Sequence, residues 1–125
     1  MSRRSPADNH PAQPRPVLRQ DLLTAALDGG RRVDRLEVKR IELAPGQATG
    51  LHRHPCPVVG VITAGSVLFQ VEGQPGKALR AGDAFFEPAD TRILHFDNPS
   101  AGESATFTAI YLLKADDPGI IEMLD

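Results

Sequence analysis

Residues 45–65 read Pro-Gly-Gln-Ala-Thr-Gly-Leu-His-Arg-His-Pro-Cys-Pro-Val-Val-Gly-Val-Ile-Thr-Ala-Gly, and this stretch decides the fold. His52 and His54 are separated by a single residue. Because side chains alternate along a strand, both imidazoles are expected to point to the same face. Two imidazoles so placed can share a metal ion. An isolated pair of this kind also occurs as polar surface residues near a loop, so the surrounding sequence decides between these interpretations.

The sequence around this stretch alternates short apolar runs with turns. We expect strands at residues 33–43, 51–63 (a region for a pair of strands), 66–72, 77–80, 84–87, 92–96 and 106–113. Strands that recur every 8–12 residues or so, with turn residues between them, are typical of an all-β sandwich or barrel. The mixture of apolar and charged residues in the first strand predicts a bulge near Arg40 and Ile41.

The N-terminal part of the chain differs from the rest. Residues 1–16 are rich in proline and poor in large apolar residues, which predicts an extended arm. Residues 21–28 are predicted to form one short helix that Asp21 caps and that the next two glycines end. Residues 17–125 are then expected to form a single domain.

The composition excludes several classes of protein. The 125 residues are 41% hydrophobic and 24% charged, with a formal net charge of −2. This balance disfavours a dedicated nucleic-acid binder, and the absence of Trp argues against a base-stacking surface. No apolar run approaches the roughly 20 residues that span a membrane, and the basic N-terminus lacks the apolar stretch of a secretion signal. We therefore expect a cytoplasmic protein that binds neither nucleic acid nor membranes.

Two segments of the sequence together resemble the motifs of the cupin family, in particular its small single-domain bacterial members. The first family motif is Gly-x5-His-x-His-x3,4-Glu-x6-Gly. Four residues fit its spacing: Gly46, His52, His54 and Gly65. Residues 82–88, Gly-Asp-Ala-Phe-Phe-Glu-Pro, look like the start of the second motif, Gly-x5-Pro-x-Gly-x2-His-x3-Asn. The resemblance covers about residues 33–113 and implies a jelly-roll barrel, or double-stranded β-helix, with a metal ion and a pocket inside.

Two of the usual metal-ligand positions hold other residues. Val58 stands in place of the family glutamate, while Asp90 and Ile93 stand in place of the second motif's glycine and histidine. His95 lies two residues beyond Ile93, so in a regular strand it points into the barrel. We therefore consider His95 as the third metal ligand beside the histidine pair. The alternative is a barrel histidine that is hydrogen-bonded to a backbone carbonyl.

Three further residues are candidates for the pocket: Val58, Gln70 and Cys56. The thiolate of Cys56 would be a soft metal ligand. Its flanking prolines bend the strand, however, which favours a buried structural thiol. Gln70 interrupts an apolar strand and lies either in the pocket or on the outer face. Glu87 and Asp90 are the nearest carboxylates, and each is interpreted as a rim or solvent residue beside a turn.

Two functions remain open at this point. Three histidines suit a divalent transition metal (Zn, Ni, Fe, Mn or Cu) and leave coordination positions for water or substrate. The resemblance then implies a dioxygenase, isomerase or lyase that acts on a small molecule. The alternative is a non-catalytic protein that binds or senses a small molecule, with a degenerate or absent metal site. In either case we expect a homodimer, because the arm and the apolar residues 120–124 need a surface to cover them.

Overall fold

The computed structural model describes residues 14–124, which form nine β-strands in two antiparallel sheets. In chain order the strands are β1 Arg35–Leu43, β2 His52–Arg53, β3 Val58–Ala64, β4 Ser66–Val71, β5 Lys77–Arg80, β6 Ala84–Glu87, β7 Ile93–Asp97, β8 Ala105–Leu113 and β9 Glu122–Met123. One sheet has the order β1-β8-β3-β6 and the other the order β5-β4-β7-β2-β9. The predicted all-β jelly-roll class is confirmed.

The core lies between the two sheets. Strand β8 shows the pattern most regularly, because every second residue from Ala105 to Leu113 is buried. Strand β4 supplies buried residues from the opposite sheet in the same alternation. Four phenylalanine rings form the centre of this core, with neighbouring centroids 4.5–5.9 Å apart: Phe69, Phe85, Phe96 and Phe107. Alternation with a period of two therefore builds one apolar layer from both sheets.

The prediction of a short helix at residues 21–28 is wrong. This segment has no regular secondary structure and ends in a turn, where the Gly30 N–H donates to the Leu27 carbonyl at 2.8 Å. It lies against the outer face of the four-stranded sheet, in a groove that it shares with Val59 and Val61. A two-turn helix has little stability of its own, so contact with this apolar face decides its conformation. Within residues 14–124, no helix has the length and hydropathy to cross a membrane.

The bulge predicted near Arg40 and Ile41 is also wrong. Strand β1 pairs with β8 in one uninterrupted register over its whole length. The apolar residues Leu36 and Val38 are out of phase with Ile41 and Leu43, so a bulge would be needed only if all four faced the core. Instead Leu36 and Val38 point outward and are 60% and 63% exposed, and the strand needs no bulge.

Gly60 lies in β3, where the backbone runs close to its neighbours. A Cβ at this position would overlap the Thr108 carbonyl oxygen and would lie 2.5 Å from Cζ of Phe85. We expect Gly60→Ala to lower the free energy of unfolding by about 1–3 kcal/mol in urea denaturation, because the core cannot yield without strain. Gly76→Ala is the control, since a Cβ there meets no atom closer than 3.9 Å. Equal stabilities of the two variants would contradict this close packing.

Candidate metal centre

The histidine pair is buried at the inner face of the five-stranded sheet. His52 and His54 are each 3% exposed, and their ring centroids are 4.9 Å apart. Strand β2, which carries His52, is held on both sides, by β7 and by β9. Pairing on both sides fixes the strand's orientation, and the two rings share a face as their spacing predicts.

A third donor comes from the opposite sheet. Glu87 of β6 is 3% exposed, and its Oε1 lies 2.9 Å from Nε2 of His54. His52, His54 and Glu87 each offer one donor atom, and these atoms all lie within 4.8 Å of one another. Two donors that bind one ion at about 2.1 Å and at right angles are about 3 Å apart. The observed separation therefore fits two ligands of a common metal ion.

Strand register explains why Glu87 lies at this point. In the antiparallel pairing of β3 with β6, Glu87 lies directly opposite Val58. Residues directly opposite each other project from the same face, with Cβ atoms about 4.5–5.5 Å apart. Residue 58 is the position at which the first motif places its glutamate. The neighbouring strand thus supplies a carboxylate beside the position where the sequence has lost one.

The interpretation of Glu87 as a rim or solvent residue is wrong. The residue does precede a turn, but it belongs to the last rung of β6 and shares the parity of buried Phe85. That parity was the available signal in the sequence. It was ambiguous because Phe86, on the other face, is also apolar, so either face of β6 could have been the inner one. Only the pairing with β3 resolves the ambiguity.

Backbone carbonyls orient both imidazoles. Nδ1 of His52 donates to the Gly50 carbonyl at 2.7 Å, and Nδ1 of His54 donates to the Ile120 carbonyl. A carbonyl oxygen only accepts, so Nδ1 carries the proton and Nε2 of the neutral ring has a lone pair. Metal-binding histidines are commonly held in this way. Both rings therefore present Nε2 as the donor for a metal ion.

The contact between His54 and Glu87 also indicates a binding site for a cation. With a neutral ring and no metal ion, the lone pair on His54 Nε2 would face the carboxylate oxygen Oε1 of Glu87, and two acceptors repel each other. Glu87 Oε2 is buried and has no hydrogen-bond partner among the described residues. A second proton on His54 would relieve only the first of these problems. A divalent ion relieves both, so the donor set fits a metal.

The three donors line a cavity of about 140 Å³. Most of its remaining wall is apolar, and six of the residues are Ile41, Val58, Phe85, Phe96, Phe107 and Ile121. At about 30 Å³ for each water, this volume holds about four or five non-hydrogen atoms. Tyr111 adds a phenol, and burial followed by the charge of Glu87 raises its pKa to about 12. The phenol therefore keeps its proton at neutral pH and can donate a hydrogen bond.

The C-terminal segment completes the site. The carbonyl of Ile120 orients His54, and Ile121 lines the cavity. Strand β9 then pairs with β2, and Leu124 N–H donates to the Leu51 carbonyl at 2.9 Å. The apolar C-terminal residues thus pack in part on their own domain, while Ile121 and Met123 stay 46% and 56% exposed.

His95 lies outside this cluster. Its side chain is 48% exposed, and its Nδ1 is 2.7 Å from Oδ2 of Asp97. Gln70 of β4 lies opposite His95, whereas the next residue of β4 lies opposite Ile93, so one residue of β7 is extra. An extra residue reverses the alternation of side chains. Ile93 is therefore inside and His95 outside, and the expectation that His95 points into the barrel is wrong.

The other predicted pocket residues divide between the cavity and other parts of the fold. Val58 lines the cavity. Gln70 is on the outer face, where its Nε2 donates to the Gln74 carbonyl at 3.1 Å. Cys56 is fully buried but does not contribute to the cavity wall. Burial raises the pKa of its thiol to about 11, so the thiol is neutral and inert at physiological pH, as a structural cysteine would be.

Asp90, at the position of the second motif's glycine, has a backbone conformation that glycine adopts readily. Its φ is 56°, in the left-handed region that Asp tolerates better than most residues. Its N–H donates to the His54 carbonyl at 2.7 Å. The exposed turn that follows Glu87 is thereby tied to the backbone of a neighbouring donor residue.

The comparisons with known proteins agree with this architecture. The family model described as Cupin domain matches residues 39–111, more than half of the chain. Comparison with curated proteins gives no match. Among solved structures, oxalate oxidase in complex with the substrate analogue glycolate is 23% identical with a TM-score of 0.60, over 71% of this chain and 46% of that chain.

Two further solved structures are similar. The DMSP lyase DddQ from Ruegeria pomeroyi DSS-3 is 21% identical with a TM-score of 0.61, over 72% of this chain and 43% of that chain. A cupin-like protein from Thermotoga maritima msb8 is 25% identical with a TM-score of 0.59, over 71% of this chain and 64% of that chain. The chain thus spans less than half the length of the oxidase and the lyase, and its likeness to them shows the fold alone.

Proposed function

Because this chain belongs to the cupin family and gathers His52, His54 and Glu87 around one point, we propose that it is a metal-dependent enzyme that acts on a small molecule. The observation that carries the proposal is the set of three buried donor atoms within 4.8 Å of one another, beside a cavity. Two histidines and one carboxylate with open coordination positions are typical of non-haem Fe(II) enzymes. Among Zn, Ni, Fe, Mn and Cu, we therefore favour Fe(II).

The residues of the cavity have distinct roles in this proposal. A bound divalent ion supplies Lewis-acid or redox chemistry. The two imidazoles and Glu87 hold it and leave its remaining positions facing the cavity. One carboxylate cancels only one of its two positive charges, so the centre attracts an anionic ligand. Tyr111 donates a hydrogen bond to that ligand, and the phenylalanine walls exclude water from it.

The reaction class is set by what this site can hold. The cavity admits a molecule of about four or five non-hydrogen atoms. Glu87 is the one carboxylate among the described residues that line the cavity, which favours oxygenase, isomerase or lyase chemistry at the metal over hydrolysis by paired carboxylates. The alternative function is non-catalytic binding of a small molecule, which the loss of ligands at Val58 and Ile93 favours. The homodimer and the cytoplasmic location remain predictions.

Cobalt substitution tests this proposal, because Co(II) reports its coordination by visible absorption. Metal-free protein is expected to bind one Co(II), and azide or acetate is expected to shift the absorption bands by entering open positions. Glu87→Gln should lose the spectrum, whereas Asp90→Asn should keep it, since Asp90 is exposed and outside the donor set. Protein that binds no Co(II), or a Co(II) spectrum that neither anion changes, would contradict an enzyme and favour the binding protein.

A further inference from the structure

We propose that β1 is the dimerisation edge of this protein. Two copies pair their β1 strands antiparallel, with Val38 of each at the two-fold axis, and join their four-stranded sheets into one continuous sheet. The proposal names the surface through which the expected homodimer forms. It is independent of the metal site and of the reaction.

The first argument is the edge itself. Strand β1 is nine residues long and pairs with β8 on one side, and among residues 14–124 no strand pairs with its other side. The remaining edge strands are shorter, at four residues for β5 and β6 and two for β9. Proteins usually protect long edges with proline, a bulge or charged side chains, because free N–H and C=O groups invite pairing. Strand β1 has no proline and no bulge, and its charged side chains are of both signs, so two antiparallel copies can match them.

The second argument is the outer face of this strand. Leu36 and Val38 are 60% and 63% exposed on an otherwise well-packed sheet. Pairing centred on Val38 brings the two Val38 side chains together across the axis. The same register places Leu36 opposite Arg40 of the second copy, whose aliphatic stem can cover it. Exposed apolar side chains beside an unpaired edge are typical of a strand that has a partner.

The third argument is charge, which selects the register. Antiparallel pairing about a two-fold axis perpendicular to the sheet brings a central residue opposite itself. Centred on Val38, the pairing places Glu37 of each copy opposite Lys39 of the other. Centred on Glu37 or on Lys39, it would place that charge opposite its own copy. Opposite charges directly across two strands stabilise and like charges destabilise. Registers centred on Leu36 or on Ile41 also oppose unlike charges, but they pair only three or five residues of β1, whereas the register centred on Val38 pairs seven. Charge and the length of paired strand together therefore favour Val38.

The side chains in this register are available for pairing. Among residues 14–124, the side chain of Glu37 makes only loose ion pairs, with Arg35 at 3.4 Å and with Lys39 at 3.5 Å. All three side chains are at least 36% exposed. Exposed pairs of this kind contribute little to the stability of the single chain. Exchange of these contacts for contacts with a second copy therefore costs the monomer little.

The test is the mass of the full chain in solution, measured by sedimentation equilibrium at micromolar concentration. The unmodified protein is expected to be a dimer. Lys39→Glu and Glu37→Lys should each weaken dimerisation by at least about 10-fold, because each creates two like-charge pairs. The double variant Glu37→Lys/Lys39→Glu restores opposite charges across the axis and should dimerise again. Lys77→Glu, on the edge strand β5, is the control and should leave the dimer intact.

Three results would overturn the proposal. The first is a monomeric mass for the unmodified protein. The second is a dimer whose dissociation constant is the same in both single-charge variants, which would place the interface elsewhere. The third is a double variant that folds, by its circular dichroism, but stays monomeric. Because the double variant retains every charge of the strand, it tests the register even where a single variant folds poorly.

Discussion

Glu87→Gln is expected to lower the affinity for a divalent metal by at least about 100-fold in a competitive titration. Loss of a residue that only supports a ligand typically costs 10–100-fold in affinity, so loss of a ligand itself should cost at least the upper part of that range. The side chain keeps its shape in this variant, and only its charge and one oxygen are lost. A reduced affinity therefore reports on the carboxylate and not on a change of packing.

The same variant should have the opposite effect on the metal-free protein. In the native chain, one carboxylate oxygen of Glu87 is buried without a hydrogen-bond partner among the described residues, and the other lies 2.9 Å from His54 Nε2, whose lone pair it faces when that ring is neutral. The amide of the variant carries no charge and can donate to that lone pair. Since an unpaired buried charge destabilises a fold, metal-free Glu87→Gln should unfold at the same or a higher temperature than the native chain.

Metal addition should then distinguish the native chain from the Glu87→Gln variant. An ion that binds only the folded state raises its stability by RT ln(1 + [L]/Kd), so the native chain gains in melting temperature and the variant does not. Asp90→Asn makes the same chemical change on an exposed carboxylate and should respond to metal like the native chain. An unchanged metal affinity in Glu87→Gln would show that Glu87 is not a ligand.

Phe96→Ala is expected to lower the free energy of unfolding by about 3–5 kcal/mol, the usual cost of such a truncation in a core. Phe96 is 3% exposed, and its ring centroid lies 4.5 Å from that of Phe107 and 5.0 Å from that of Phe85. These neighbours belong to two other strands and cannot close the gap without moving the sheets. For a domain of ordinary stability, about 5–15 kcal/mol, this is a large fraction of the total.

Phe86→Ala is the matched control for this prediction. Phe86 is half-buried on the outer face of the opposite sheet, so the same truncation opens no internal cavity. In urea denaturation of the metal-free proteins, Phe86→Ala should lower the free energy of unfolding by clearly less than Phe96→Ala does. Equal losses would mean that the phenylalanine cluster is not the centre of the core. Because Phe96 also lines the site cavity, Phe96→Ala should in addition admit larger ligands.

Much of the fold is predictable from the sequence because each strand carries its own signal. Alternation within a strand and Gly or Pro at its ends are local properties, and they predict seven of the strand regions close to their observed bounds. The segment at residues 21–28 has an equally local signal for a helix. Its conformation is set instead by contact with the outer face of a sheet, which is a tertiary effect that no local pattern contains.

The same distinction between local signals and tertiary effects applies to the candidate site. His52 and His54 are predictable because their relation depends only on the strand that carries them. His95 and Glu87 are not, since each depends on how one strand pairs with another. An extra residue in β7 turns His95 outward, and the pairing of β6 with β3 brings Glu87 beside Val58. Register between strands is set by the whole sheet, so the sequence of one strand does not determine it.

The central claim is that one metal ion is held by His52, His54 and Glu87. Its most direct test is a crystal of the protein soaked with Fe(II) or Co(II), with diffraction data collected at the metal's absorption edge. We predict a single anomalous difference peak within about 2.0–2.2 Å of Nε2 of both histidines and of a carboxylate oxygen of Glu87. A fully soaked crystal with no peak at these atoms, or with its peak at His95 and Asp97 instead, would contradict the claim.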